Sequence, residues 1–246
     1  MDKLKIKIVI IGHLPASFNK QKLLRFDSSL FQLDDNIDAY DLNDNSDCGW
    51  MFSDKLMLKN FPTVTGCDFI FAIATVPLQF DWYSRPLAER AVVCTLHEVA
   101  GLLKENNIPL ENMVLRVINA YALAYVKSDN KIPNPEHFLD FAHVETRGCL
   151  FDMTAYKADI VESCARPIIC DKCTRDFIDG KVPRNIISSV KKDISKIKKN
   201  LYYRMVDYVK IHPVISMFLS GFFVVTLGVL GSLIASYLYD FFKTVN

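Results

Sequence analysis

Cysteines and a histidine are grouped within residues 143–173, which carry the clearest metal-binding pattern of the chain. Cys170 and Cys173 form a C-x2-C pair, a spacing that suits two corners of a tetrahedral zinc site. Cys149 precedes this pair with 20 residues between them, and His143 precedes Cys149 with five between them. Thiolates and a neutral imidazole match borderline-soft zinc, whereas hard cations prefer carboxylates. The spacing therefore predicts a zinc site with the ligands His143, Cys149, Cys170 and Cys173.

Two alternatives for these cysteines remain open. Cys164 is a rival fourth ligand, although it lies late in a predicted helix, and the thiols could instead be ordinary buried cysteines without a metal. A redox C-x2-C is disfavoured because the motif does not open a helix after a thioredoxin-like strand. Zinc surrounded by four protein ligands has no open position for water or substrate, so we expect a structural zinc.

Polar and aromatic residues near these cysteines suggest further roles. Arg147 and Asp152 flank Cys149, and we expect them either to form an ion pair that orients the metal loop or to bind a small anionic ligand. An aromatic cluster follows a predicted strand earlier in the chain, where a packed lid is favoured over a ligand site. The sequence does not show whether the two groups meet. The aromatic cluster consists of Phe80, Trp82 and Tyr83.

The order Cys149-x3-Met153 and then Cys170-x2-Cys173 resembles the C-terminal cysteine signature of the archaemetzincins, which are small zinc-dependent peptidases. In that family the methionine belongs to the Met-turn, and the C-x2-C pair helps to hold a second, structural zinc. The resemblance covers residues 143–173 of 246, and the succession of strands, a long helix and a cysteine knuckle is also similar.

The catalytic motif of that family, HExxHxxGxxH, is absent here. The corresponding helix, predicted over residues 109–126, contains no histidine. The His97-Glu98 pair has Gly101 where the second zinc-binding histidine would be required one helical turn later. The resemblance therefore implies a degenerate, non-catalytic member that keeps the fold and the structural zinc. The competing hypothesis is a peptidase with an unorthodox site built from His97, Glu98 and His137.

A long apolar stretch, Pro213–Tyr239, contains no Asp, Glu, Lys, Arg or His. At ~1.5 Å per residue its 27 residues would span ~40 Å as a helix, enough to cross a ~30 Å hydrocarbon core. The N-terminus lacks a signal-peptide pattern, so we expect a tail-anchored, single-pass protein. Small residues at helical spacing predict self-association of the span. They are Gly228, Gly231, Ser232 and Ser236.

The segment between the predicted domain and the span is basic. Residues 181–210 contain nine lysines and arginines against two aspartates. This excess of positive charge beside the apolar stretch favours contact with anionic lipid and predicts a cytoplasmic N-terminal domain. We do not expect nucleic acid as a partner. Apolar residues recur there every three or four positions and predict an amphipathic stalk helix, either a coiled coil or an interfacial helix. They are Ile186, Val190, Ile194, Ile197, Leu201 and Met205.

Apolar runs in the first part of the chain predict an α+β domain with a mixed sheet. Strands are predicted over 4–10, 67–76 and 91–96, and helices over 97–106 and 109–126. The resulting organisation is a zinc-knuckle domain, a stalk, one transmembrane helix and a short tail. These four segments cover residues 1–180, 181–212, 213–239 and 240–246.

A cytoplasmic domain followed by one transmembrane helix is also the layout of compact prokaryotic membrane effectors, and the comparison rests on this architecture alone. It predicts a non-catalytic, membrane-anchored sensor or effector that oligomerises in the membrane during a stress or antiviral-defence response. The expected partners are the lipid bilayer, further copies of the chain and a cytoplasmic ligand or protein. The alternatives are a membrane-tethered zinc peptidase and a passive membrane recruiter or adaptor.

Overall fold

A computed structural model describes residues 2–153 and 156–245, and the chain divides into two units, Met1–Lys199 and Asn200–Asn246. Six strands of the first unit form one sheet. They are β1 (Leu4–Ile11), β2 (Phe31–Leu33), β3 (Asp38–Tyr40), β4 (Phe69–Ala74), β5 (Ser84–Ala88) and β6 (Ala91–Thr95). Their order in the sheet is β2-β1-β4-β6-β5, with β3 also paired to β1. Among these strands only the β5–β6 pair is antiparallel, so the sheet is mixed, as predicted.

The central strand β4 is buried along its whole length. Because successive side chains of a strand point to opposite faces, Phe69, Phe71 and Ile73 pack into the larger core, and Ile70, Ala72 and Ala74 pack into a smaller core on the other face. Burial on both faces explains why this strand is a continuous apolar run, and the prediction over residues 67–76 is confirmed.

One helix, α4 (Leu110–Lys127), dominates the larger core. Every residue of α4 from Leu110 to Tyr125 is buried, in agreement with the apolar helix predicted there. Its first turn is fixed by Glu111, which accepts a hydrogen bond from the Asn19 backbone N–H at 2.6 Å. The helices of this unit are α1 (Lys20–Leu24), α2 (Asp54–Lys59), α3 (Val99–Glu105), α4 (Leu110–Lys127), α5 (Pro135–Leu139), α6 (Ile160–Ala165), α7 (Asp171–Asp179) and α8 (Arg184–Ile194).

The structure differs from the stalk helix predicted over residues 181–212. Two helices, α8 and α9 (Leu201–Ile211), occupy this segment, and α8 belongs to the first unit. Helical periodicity identifies an apolar face but not its partner, and most of this face packs on the domain's own core. Of the predicted face, Val190, Ile194 and Ile197 are buried and Ile186 is half-buried against the core, with the neighbouring Ile187 also buried, whereas Leu201 and Met205 in α9 are exposed.

A buried carboxylate attaches α8 to the rest of the domain. Asp193 Oδ2 accepts a hydrogen bond from the Ser29 backbone N–H at 2.5 Å, and Asp193 Oδ1 lies 2.9 Å from Lys196 Nζ. Burial by itself would raise the pKa of Asp193, but these hydrogen bonds outweigh it and hold that pKa below its usual value. The end of α8 is therefore joined to the loop before β2 by a charged group.

The second unit consists of α9 and α10 (Pro213–Val245). The stretch Pro213–Tyr239 is long and apolar enough to cross a membrane, and none of its apolar window is buried. The helix continues without a break to Val245, so most of the predicted tail is part of α10. Asn246 lies outside the described residues.

The position of α8 predicts where the chain can be shortened. A chain ending at Gly180 would lose five buried apolar side chains, Val182 among them, each worth about 1.5–3 kcal/mol, whereas small domains are stable by only about 5–15 kcal/mol. We expect this truncation to lose cooperative thermal unfolding followed by circular dichroism, and a chain ending at Lys199 to retain it. Equal unfolding temperatures for the two would contradict the assignment of α8 to the core.

Candidate metal centre

The four residues predicted as metal ligands come together in the structure. One side-chain atom from each of His143, Cys149, Cys170 and Cys173 lies within 4.8 Å of the others, and all four residues are buried. Cys149 Sγ is 3.8 Å from Cys173 Sγ, and Cys170 Sγ is 3.4 Å from His143 Nε2. Tetrahedral zinc with ordinary bond lengths requires sulfur–sulfur and sulfur–nitrogen separations of about 3.8 and 3.6 Å. The group is therefore suited to a zinc ion.

A folded loop supplies two of the ligands. Gly148 has a φ of +81°, a conformation that favours glycine, and it turns the chain immediately before Cys149. The Leu150 N–H donates to the Ile168 carbonyl at 2.9 Å, which holds the loop beside the entry to α7. His143 is held from the other side, because its carbonyl accepts from the Met153 N–H at 2.7 Å.

The other two ligands open a helix, so the expectation that the C-x2-C pair does not do so was wrong. Cys170 is the N-cap of α7, and its Sγ accepts a hydrogen bond from the Cys173 backbone N–H at 3.4 Å. This hydrogen bond places both sulfurs on the first turn of the helix, so the C-x2-C spacing converts directly into a chelating pair.

The electrostatics of the group favour a thiolate. The hydrogen bond between the Cys173 thiol and Cys149 lowers the pKa of Cys149 against the effect of burial, and it raises the pKa of Cys173. Because zinc binds the thiolate form, the lowered pKa of Cys149 favours metal binding. His143 directs Nε2 towards the sulfurs, and Glu145 Oε2 lies 3.3 Å from its Nδ1, outside hydrogen-bond geometry. A carboxylate beside the far nitrogen is a common way of orienting a metal-binding histidine.

The predicted pairing of Arg147 with Asp152 is present. Arg147 Nη1 is 3.0 Å from Asp152 Oδ1 and 3.1 Å from Asp159 Oδ2. Burial raises the pKa of Asp152 although Arg147 opposes the shift. The arginine joins the metal loop to the turn before α6.

The rival ligand Cys164 lies elsewhere. It is buried in α6, where its carbonyl accepts from Asn112 Nδ2 at 2.9 Å, and burial raises the pKa of its thiol to about 12. It does not belong to the metal-binding group, so His143 is the fourth member.

The residues of the competing peptidase hypothesis are not assembled into a metal site within the described part of the chain. His97 Nε2 is 3.8 Å from Glu98, and Glu98 is also paired with Lys157 at 2.8 Å. His137 is exposed on α5 and belongs to no group of potential ligands found among residues 2–153 and 156–245.

A cavity of about 670 Å³ adjoins the metal loop. The sequence did not predict whether the aromatic cluster and the segment after Cys149 meet, and the structure shows that both line this cavity. The lining includes Phe80, Trp82 and Tyr83 from the cluster and Phe151 and Asp152 from the segment. The side chains that α4 contributes are Arg116, Val117, Ala120 and Tyr121.

Sequence reasoning did not identify Arg116 as a functional residue. The available signal was a single basic residue in the middle of an otherwise nearly apolar helix. It is 1% exposed, and burying a guanidinium so fully is rare unless the group is paired.

Comparisons with known proteins give one structural likeness. No protein-family model and no curated protein matches the chain. The crystal structure of archaemetzincin from Methanopyrus kandleri is similar, with a TM-score of 0.44 and 13% sequence identity. The likeness covers 73% of this chain and 96% of that one, and it concerns the fold alone.

The geometry predicts one zinc per chain. We expect Cys173→Ser to abolish the zinc measured by elemental analysis of the purified full chain and to lower its unfolding temperature, because structural zinc contributes free energy to folding. Cys164→Ala is the matched control, since this buried cysteine lies outside the group; it should keep its zinc. Zinc content that is unchanged in Cys173→Ser, or absent from the parent, would contradict the assignment.

Proposed function

We propose that the chain is a non-catalytic, membrane-anchored sensor and effector. In this proposal the first unit binds a small ligand on the cytoplasmic side, Pro213–Tyr239 crosses the bilayer once, and self-association of the spans changes in response. The setting would be a prokaryotic stress or antiviral-defence response. The observation that carries the proposal is the cavity between α4, the aromatic cluster and the metal loop.

The cavity has the size and lining of a ligand site. Its volume of about 670 Å³ falls within the range of about 300–1,000 Å³ that is usual for small-molecule pockets, and its walls are largely aromatic and aliphatic. Tyr121 and Phe138 stack with ring centroids 4.3 Å apart in one wall. A few polar groups interrupt these walls, as expected where a ligand must be oriented.

The backbone at the rim of the cavity supports a functional role. Phe80 and Asp81 have φ values of 58°, and Glu98 has 59°. Non-glycine residues in this region cost of order 1–3 kcal/mol each and cluster at ligand clamps and switches. Lys157 forms ion pairs with both Asp81 and Glu98 and so joins the strained segments.

The metal centre supports binding rather than catalysis. Its four ligands are all protein side chains, so a tetrahedral zinc there would have no open position. The loop that carries Cys149 continues directly into the cavity wall at Phe151 and Asp152. Zinc would thus fix one wall of the ligand site.

The second unit supports membrane action. Small residues recur along α10 at spacings that allow helices to approach closely, and α9 exposes apolar and aromatic side chains of the kind found at membrane surfaces. The small residues are Gly228, Gly231, Ser232 and Ser236. The exposed side chains include Leu201, Tyr202, Met205 and Tyr208.

The role of the span can be tested in cells. We expect overexpression of the full chain in a bacterium to slow growth and to admit a membrane-impermeant dye, and Gly228→Leu to reduce dye uptake and crosslinked oligomers several-fold, because the added side chain keeps the helices apart. Thr226→Leu adds bulk on the opposite side of the helix and is the matched control.

Two further variants separate the alternatives. Full activity after the span is replaced by an unrelated one would contradict the effector proposal and favour a passive recruiter. Loss of activity in Glu98→Gln, with the fold unchanged and the span variants active, would favour the tethered peptidase.

A further inference from the structure

Arg116 combines deep burial with incomplete pairing. Its side chain is in the wall of the cavity and is 1% exposed. Nη1 donates to the Tyr83 hydroxyl at 2.9 Å, and the guanidinium lies 5.1 Å from the centroid of the Tyr83 ring. Nε and Nη2 have no hydrogen-bond partner among the described residues. A buried, charged donor without a partner carries a large desolvation cost.

The unpaired atoms form one edge of the guanidinium. Arg85 shows what this edge does in the same domain: its Nε donates to Asp54 Oδ1 at 2.6 Å and its Nη2 to Asp54 Oδ2. Such side-on, bidentate pairing is the geometry in which arginine recognises carboxylates and phosphates. The same edge of Arg116 has no acceptor among the described residues, and both of its nitrogen atoms are buried in the unliganded structure.

The other charged groups around the cavity are already paired. Lys157 binds Asp81 and Glu98 at the rim. Asp152 Oδ1 is paired with Arg147, while its Oδ2 has no partner among the described residues and can accept a hydrogen bond from a ligand. The edge of Arg116 is therefore the part of the wall that can pair with an anion, and Asp152, whose charge interacts with that of Arg116, offers Oδ2 as an acceptor.

We infer that the cavity binds a small molecule with an oxyanion, a carboxylate or a phosphate, attached to an aromatic or similarly flat apolar body. The oxyanion pairs with Nε and Nη2 of Arg116, and the body lies against the rings of Trp82, Tyr83 and Phe138 in the walls. This inference rests on the proposed ligand-binding function of the cavity and specifies the chemistry of its ligand.

The test uses the purified full chain in detergent micelles with three probes: benzoate, phenyl phosphate and the neutral benzamide. We expect at least one anionic probe to raise the unfolding temperature and to bind in calorimetry, and benzamide to do neither. Comparison of benzoate with phenyl phosphate identifies which oxyanion is preferred.

The decisive variant is Arg116→Met. We expect anion binding to weaken by ~10-fold or more, as for a lost charged hydrogen-bonding pair. The unliganded unfolding temperature should stay the same or rise, because the desolvation cost of a partly paired buried charge is removed and outweighs the lost hydrogen bond to Tyr83. Arg175→Met is the matched control, since Arg175 is exposed on α7 and does not line the cavity; it should leave binding unchanged.

Three results would overturn the inference: no binding of either anion to the parent, equal binding to Arg116→Met, or a drop of several degrees in the unliganded unfolding temperature of that variant, which would make Arg116 a structural group. If benzamide binds and neither anion does, the inferred requirement for an oxyanion is wrong, although the cavity would still bind a ligand. The effector proposal fails separately, through the span-replacement result in cells.

Discussion

Enclosure of α4 on all sides is the constraint on which the domain depends. Polar side chains on such a helix have no water to hydrogen-bond, so each must find a partner within the fold. Glu111 binds the Asn19 N–H, Asn112 binds the Cys164 carbonyl, and Asn119 binds the Leu115 carbonyl. Arg116 is the member of this series whose donors are only partly used. The acceptor atom Oδ1 of Asn119 also has no hydrogen-bond partner among the described residues, so Arg116 is distinguished by its charge and by its place in the cavity wall.

The metal centre and the cavity share a single loop. Gly148 turns the chain, Cys149 faces the metal-binding group, and the next residues form cavity wall. The same few residues therefore connect the free energy of metal binding to the shape of the cavity. Arg147 extends this connection to the turn before α6 through Asp159. A closed metal site is well suited to this mechanical role, because all of its coordination positions hold protein.

Much of the fold could be predicted because local patterns determine it. Period-two and continuous apolar runs located β1, β4 and β6, and C-x2-C spacing located the chelating pair. The edge strand β5 was missed because it contains Pro86, which is tolerated only at such an edge. The partner of the α8 face and the surroundings of Arg116 depend on long-range contacts: Asp193 meets Ser29, and Arg116 meets Tyr83. Periodicity carries no information about such contacts.

The late position of α8 in the chain also determines when the core of the first unit can be completed during translation. The first unit lacks part of its core until Ile197 has been synthesised, because α8 contacts a segment that lies 164 residues earlier in the chain. The last residue of the apolar stretch, Tyr239, follows only 42 residues later. At ~5–20 residues per second, this leaves ~2–8 s between completion of the core and completion of the apolar helix. Completion of the first unit's core and completion of the apolar helix are therefore nearly simultaneous events.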